Sequence, residues 1–147
     1  MLHPAPTTPV APSLARGVLD ARLPETATQP ERIVLSFHNL NYQVHLLPVS
    51  PLKAEIGKRA IGTIQAEAKR VDVCSSGGRF VEPVIGRPRK VQGSIVETDA
   101  SANTITVDAG MPIVCRITDP RQRASGFEAG QFVTFDVLRG ATFTPAS

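Results

Sequence analysis

The chain of 147 residues has no tryptophan, one tyrosine and six phenylalanines, so the core that it can build is mainly aliphatic. It also has only two cysteines, Cys74 and Cys115, which lie far apart and form no CxxC pair. This spacing argues against both a zinc site and a disulfide framework. Cys115 falls on an apolar strand face, where we expect a buried thiol and not a nucleophile.

Long apolar runs are missing as well. No stretch approaches the roughly 20 apolar residues that a membrane helix requires, and the first residues lack the basic and apolar regions of a secretory signal. We therefore expect a soluble, cytoplasmic protein without membrane contact.

No catalytic or cofactor motif is recognisable in the sequence, so we expect a non-enzymatic protein that holds no cofactor. His38 and His45 flank a predicted hairpin, but no third ligand can be named beside them. A metal site is therefore not predicted.

Proline is concentrated at the start of the chain, where residues 1–30 hold six of the thirteen prolines together with many Ala and Thr residues. Such a composition is typical of extended or disordered segments. The sequence predicts a disordered Pro/Ala/Thr-rich tail over residues 1–30 and a single β-barrel domain over residues 31–147. Apolar residues near helical spacing in 13–23 leave open a transient helical turn that docks on a partner.

Alternation of apolar and polar residues predicts strands in the first half of this domain. Residues 33–37 and 42–46 alternate around a link that contains asparagine, which favours a hairpin. Residues 60–73 are predicted to form a bent strand with Gly62 at the bend. Residues 80–85 are predicted to form an edge strand, because Pro83 lacks a backbone donor.

The longest strand pattern runs from residue 90 to residue 142. It predicts a hairpin, a third strand, a short helix that begins after Asp119-Pro120, and a fourth strand. The residues predicted to face the core are Val91, Gly93, Ile95, Ile113, Cys115, Ile117, Val133, Phe135 and Val137.

This order of elements resembles most of an OB-fold, a small barrel whose first strand commonly carries a glycine such as Gly93. A fifth strand has no predicted counterpart, because residues 140–147 are few and include Pro145. Earlier strands are therefore expected to close or cover the barrel. The predicted fold class is all-β: a small OB-like barrel with additional N-terminal strands and one short helix.

The charges indicate a binding surface. The net charge is +3, the hairpin tip over residues 97–108 is acidic, and the connector Arg87-Pro88-Arg89-Lys90 carries three cations. A basic face on a small barrel is typical of proteins that bind single-stranded DNA or RNA, which is our first hypothesis. The predicted nucleic-acid-binding residues are Arg79, Arg87, Arg89, Lys90, Arg121 and Arg123.

Two alternatives stay open. An exposed strand edge would suit a protein-interaction or assembly module. The segment Asp72-Val73-Cys74-Ser75-Ser76-Gly77 is similar to the DxSxxG half of the PilZ domain, a six-stranded barrel that binds cyclic di-GMP, and this resemblance implies a cyclic-dinucleotide receptor. Cys74 stands at the serine of that motif, and its RxxxR half has no match before Asp72.

Overall fold

The computed structural model describes residues 11–75 and 77–146, and nearly all of its regular structure is β-strand. Its twelve strands are β1 (Ala15–Leu23), β2 (Arg32–Ser36), β3 (Gln43–Pro48), β4 (Arg59–Ala68), β5 (Val71–Val73), β6 (Phe80–Glu82), β7 (Ile85–Gly86), β8 (Lys90–Asp99), β9 (Thr104–Asp108), β10 (Pro112–Ile117), β11 (Phe132–Asp136) and β12 (Leu138–Pro145). The all-β prediction is confirmed.

The predicted short helix is a single 3₁₀ turn at Ala124–Gly126. Two backbone donors nearby are satisfied from outside the segment, because the Ala124 N–H donates to Asn103 Oδ1 over 2.7 Å and the Arg121 N–H donates to Asp119 Oδ1 over 2.9 Å. The Asp119 contact is the predicted cap, but the Ala124 N–H is taken by Asn103 and is not available for a helical bond to the Pro120 carbonyl oxygen.

Five strands close a mixed barrel. β1 pairs with β2, β2 with β3, β12 with β4, and β4 with β1, all antiparallel, whereas β3 and β12 are parallel. The predicted hairpin over residues 33–46 is confirmed as β2–β3, and Asn39 in its link has a φ of 63°, a conformation that asparagine tolerates. Leu19, Leu46 and Phe143 fill the interior with no exposed surface.

β1 corrects the prediction that residues 1–30 form a disordered tail, because Ala15–Leu23 is an integral strand of this barrel. Its buried face begins with Ala15 and Gly17, which carry almost no apolar signal in a sequence. A side chain at position 17 would force its surroundings to shift, since a Cβ there would lie 2.9 Å from the Ser36 carbonyl oxygen. Residues 1–10 lie outside the described part of the chain.

The remaining long strands form what we call the second ring. β4 pairs with β10 in parallel, and the order then continues through β9, β8, β11 and β5 with antiparallel pairs. This order begins with β4 and ends with β5. Because β5 directly follows β4 in the chain, the two ends of the order are connected covalently. The predicted bent strand over residues 60–73 exists as β4 and β5, but the break between them falls at Lys69 and Arg70 and not at Gly62, which is paired within β4.

The core is one continuous cluster that spans the barrel and the second ring. Ile113, Cys115 and Ile117 are buried on β10, which confirms the predicted face of that strand, and Val133 and Phe135 are buried on β11. Val137, predicted to share their face, follows the end of β11 and is only partly buried. The small barrel predicted from the sequence is present, but its closed ladder uses β1, β2, β3, β4 and β12.

β12 corrects the prediction that no strand follows residue 140. Pro145 ends the ladder opposite Gly62, a position at which proline is tolerated. The register against β4 shifts between Leu138 and Thr142, which marks a β-bulge. Within this bulge Arg139 has a φ of 57°, in the left-handed region that non-glycine residues seldom adopt. Bulges at such places re-aim side chains, and two cavities meet here.

Candidate functional site

The larger of these cavities, which we call the arginine pocket, has a volume of about 550 Å³. It lies where β2, β3 and β12 meet the connector between β7 and β8. Its lining residues are Thr28, Gln29, Pro30, Arg32, His45, Leu47, Arg87, Arg89, Gly140 and Ala141.

The connector is held in place by the burial of Pro88 and by the backbone hydrogen bonds of Arg89. Pro88 is buried between the exposed residues Arg87 and Arg89. The Arg89 N–H donates to the Glu82 carbonyl oxygen over 2.7 Å, and the Arg89 carbonyl oxygen accepts from the Val137 N–H over 2.9 Å. This anchoring fixes the backbone of the connector and leaves both guanidinium groups free to face the pocket.

The opposite wall comes from the β2–β3 hairpin. Arg32 begins β2, and His45 lies on β3 directly across from Val34. Arg32 Nε donates to the Pro30 carbonyl oxygen over 3.3 Å, which leaves the remaining guanidinium donors available. Arg32 and His45 lie far from the connector in the sequence, so only the fold brings them together with it.

The arginine pocket is strongly positive. Among the described residues, no aspartate or glutamate lines it, and no ion pair involves Arg32, Arg87 or Arg89. Burial, and secondly the charge of Arg32, lower the pKa of His45 below its ordinary value. Three arginines whose charges are not neutralised locally make this pocket suited to an anion, above all to phosphate.

The other predicted site residues are placed differently. Arg79 pairs with Asp108 over 2.8 Å, and Lys90 pairs with Asp136 over 3.6 Å. Arg121 pairs over 3.0 Å with Asp119, a buried residue whose carboxyl pKa this contact lowers. Arg123 is exposed and precedes the 3₁₀ turn.

Of the six predicted residues, the structure therefore brings Arg87 and Arg89 together in the arginine pocket. Sequence reasoning missed Arg32 and His45. One signal could have found Arg32. It is a cation at the start of one strand of the predicted hairpin, and His45, another basic residue, lies on the other strand.

A second cavity, which we call the central groove, has a volume of about 460 Å³ and crosses β12, β4 and β10. Its lining residues are Leu47, Gln65, Ala66, Glu67, Thr104, Val114, Arg116, Leu138, Arg139, Gly140 and Thr142. Arg116 pairs with Glu67, its direct neighbour across the β10–β4 ladder. This groove combines apolar walls with hydroxyl, amide and guanidinium groups and one carboxylate, that of Glu67.

Nucleophilic and metal-ligating groups are not assembled in the described residues. Burial raises the pKa of Cys115 to about 12, so its thiol is a poor nucleophile. His38 and His45 line different cavities, and the described residues contain no cluster of three or more His, Cys, Asp or Glu side chains suited to a metal ion. In the same part of the chain, no helix has the length and apolar character to traverse a membrane.

The edge strands of the described fold are short, and two are capped by side chains. The Gln122 amide donates to the Val71 carbonyl oxygen and accepts from its N–H, both over 2.8 Å, so it occupies the position of a neighbouring strand beside β5. On β6, the Val81 N–H donates to the Tyr42 hydroxyl over 3.2 Å. Such edges offer little backbone for the addition of a partner strand.

The PilZ-like segment begins within β5, at Asp72. Asp72 pairs with Arg70 over 2.8 Å and is exposed, and Cys74 lies next to the Phe132 carbonyl oxygen. Ser76 lies outside the described residues. Comparison of the chain with protein-family models, with curated proteins and with solved structures found no match.

Proposed function

We propose that this protein is a non-enzymatic module that binds single-stranded nucleic acid through the phosphates of its backbone. The observation that carries the proposal is the arginine pocket, where Arg32, Arg87 and Arg89 line one cavity without a carboxylate among its described lining residues. Each guanidinium presents a planar fork of donors that matches phosphate oxygens.

The strand order supports the same proposal. β8, β9, β10 and β11, with the 3₁₀ turn before β11, follow the order that resembles an OB-fold, and β4 with β5 lies between β10 and β11 in the place of a fifth strand. We propose that the second ring is an OB-like barrel whose fifth strand comes from upstream in the chain. OB barrels are common scaffolds for oligonucleotide binding.

The scarcity of aromatic residues shapes the expected mode of binding. Neither Tyr nor Phe lines the arginine pocket in the described structure, so contacts to phosphate dominate over base stacking there. Such binding has little sequence preference and weakens steeply with salt.

The test is a salt titration of binding to a labelled single-stranded oligonucleotide, followed by fluorescence anisotropy. Replacement of Arg32, Arg87 and Arg89 by Ala is expected to weaken binding at least tenfold at low salt. The slope of log affinity against log salt is expected to fall by up to about two units, since each phosphate contact on a single strand contributes roughly 0.7.

The matched control replaces Arg70, Arg79 and Lys90 by Ala. These cations sit in exposed ion pairs outside the arginine pocket, so the control removes the same amount of positive charge. An equal loss of affinity in the control would show that charge alone matters and would contradict the pocket. If the wild-type protein has no measurable affinity for single-stranded DNA or RNA at low salt, the proposal fails and the protein-interaction module replaces it.

A further inference from the structure

The arginine pocket and the central groove are adjacent, because Leu47 and Gly140 line both of them. We propose that they form one bipartite site for a single nucleotide unit, with the phosphate in the arginine pocket and the base in the central groove. This inference rests on the proposed function and adds the ligand unit that the site recognises.

The dimensions of the two cavities fit this division. Leu47, Thr142 and Gln65 are register partners on three consecutive strands, β3, β12 and β4. Adjacent strands are about 4.8 Å apart, so Gln65 lies roughly 10 Å across the sheet from Leu47. A span of this size, measured from the edge of the arginine pocket, accommodates a sugar and a base beyond the phosphate.

Gly140 keeps the two cavities connected. It lies in the β12 bulge, and a Cβ at this position would lie 3.0 Å from Leu47 Cδ1 and 3.9 Å from Arg87 Cδ. Even a methyl group here would therefore press on Leu47, which lines both cavities. The bulge places the smallest residue at the point where a ligand has to cross from one cavity to the other.

The polar groups of the central groove favour a base edge rich in acceptors. Gln65 Oε1 accepts from the Thr142 and Thr144 hydroxyls, over 3.3 Å and 2.7 Å, which fixes the amide and leaves its NH₂ group to donate. Arg139 adds guanidinium donors to the same lining, whereas Arg116 already donates to the Glu67 carboxylate there. The carbonyl oxygens of uracil or thymine are suitable partners for such donors.

In the proposed site, the guanidinium group of Arg139 takes the place of an aromatic ring as the surface on which the base stacks. Its φ of 57° is costly for an arginine, and residues kept in such a conformation are frequent at ligand sites. Bases stack on planar guanidinium groups as they do on aromatic rings. With Leu47, Val114 and Leu138 as apolar walls, Arg139 is placed to supply that planar surface.

The experiment measures three dissociation constants by calorimetry on the full chain, for inorganic phosphate, uridine and uridine 5′-monophosphate. The nucleotide is expected to bind at least about tenfold more tightly than phosphate, because stacking and the groove donors add to the phosphate contacts. Uridine alone is expected to bind more weakly than either.

The decisive variant is Arg139→Gly, because glycine adopts a positive φ without strain and the fold is retained. This variant is expected to lose the tenfold advantage of the nucleotide and to keep its affinity for phosphate within about twofold. Arg70→Ala, which removes an equal charge outside both cavities, is expected to change neither constant.

Equal affinities of the wild-type protein for phosphate and the nucleotide would overturn the bipartite site. So would an Arg139→Gly variant that keeps the full advantage. Either result leaves the proposed function intact if oligonucleotide binding still depends on Arg32, Arg87 and Arg89. Absence of binding to phosphate, nucleotide and oligonucleotide alike would overturn both proposals.

Discussion

Arg87 and Arg89 share a short connector with Lys90, yet Lys90 alone of the three has a carboxylate partner among the described residues. The difference follows from strand alternation and from Pro88, whose burial turns its two neighbours outward. Side chains so close in sequence thus differ in their surroundings: Lys90 lies opposite Asp136 in the β8–β11 pair, and the two arginines line a cavity.

The lowered pKa of His45 predicts that binding depends on pH. Its pKa is lowered by burial and by Arg32, and a phosphate in the pocket would offset the charges of Arg32, Arg87 and Arg89 and raise that pKa again. The complex then binds more protons than the free protein, so affinity rises as pH falls from about 7.5 through the pKa of His45. The increase is at most about tenfold for each unit by which binding raises the pKa.

Anisotropy with oligothymidylate measures this dependence cleanly, because phosphodiesters do not titrate in that range. His45→Gln is expected to make the affinity independent of pH. Equal pH dependence in the variant and the wild-type protein would show that His45 is not the responsible group.

Without a ligand, the effect of His45 on stability has the opposite sign. Because its pKa is lowered by folding, the folded state binds fewer protons than the unfolded state, so the free protein loses stability as pH falls below about 6.5.

At the scale of single residues, the sequence predicts the site in part. Arg87 and Arg89 were found because they are neighbours in a basic connector. Arg32 was missed because its contribution depends on the register of the β2–β3 hairpin and on the approach of β12, which connect residues from opposite ends of the domain. No local pattern contains that information.

Among the elements, β1 shows most clearly why a strand can escape detection. A strand whose inward residues include Ala15 and Gly17 has too little apolar contrast to reveal its period. These small residues are required by their surroundings, because the Phe37 ring and the Ser36 carbonyl oxygen lie against Gly17. The sequence pattern records large apolar residues, but close packing against a neighbouring strand selects small ones.

Gly17→Ala tests the place of β1 in the barrel. The new Cβ would lie 2.9 Å from the Ser36 carbonyl oxygen and 3.1 Å from Phe37 Cε1, so we expect a loss of roughly 1–3 kcal/mol in the free energy of unfolding. Chemical denaturation followed by circular dichroism measures it.

The matched control is Gly126→Ala, since a Cβ at Gly126 would have no neighbour within 4 Å. A loss of stability in this control comparable to that of Gly17→Ala would contradict a specific role for the packing of β1. Equal stability of Gly17→Ala and the wild-type protein would mean that residues near position 17 do not pack in solution.

β12 was missed for a different reason. Pro145 argues against a strand in the sequence pattern, but proline at the end of a ladder costs no hydrogen bond inside it. Only Val137 separates β12 from β11, and the bulge within β12 interrupts the alternation by which a strand is recognised.

On the scale of the whole molecule, the barrel and the second ring share one core and one long strand. β4 pairs with β1 and β12 in the barrel and with β10 in the second ring. Its inward residues, from Ala60 to Ala68, are all buried. The two parts of the fold are therefore expected to unfold together.

Phe135→Ala tests this coupling from the far side of the second ring. Phe135 is only 2% exposed, so its truncation is expected to cost roughly 3–5 kcal/mol. Hydrogen exchange is expected to show the same loss of protection for amides of β2, in the barrel, as for amides of β9. Phe132→Ala, on the more exposed face of β11, serves as the control and is expected to cost less.

Unchanged protection of β2 in the Phe135→Ala variant would mean that the barrel is stable without the second ring.

The all-β class and the order of strands in residues 90–136 were predictable, because alternation is a local property. The ring closures were not, because they depend on which distant strands pair.

The position of β12 in the barrel has a consequence during biosynthesis. β3 and β4 are translated long before β12, which is the strand that joins them. At roughly 5–20 residues per second, translation of the intervening residues leaves their facing edges unpaired for several seconds. The nascent chain therefore emerges with an open barrel, and a chaperone that shields these edges on the ribosome would act in the interval before residue 145 appears.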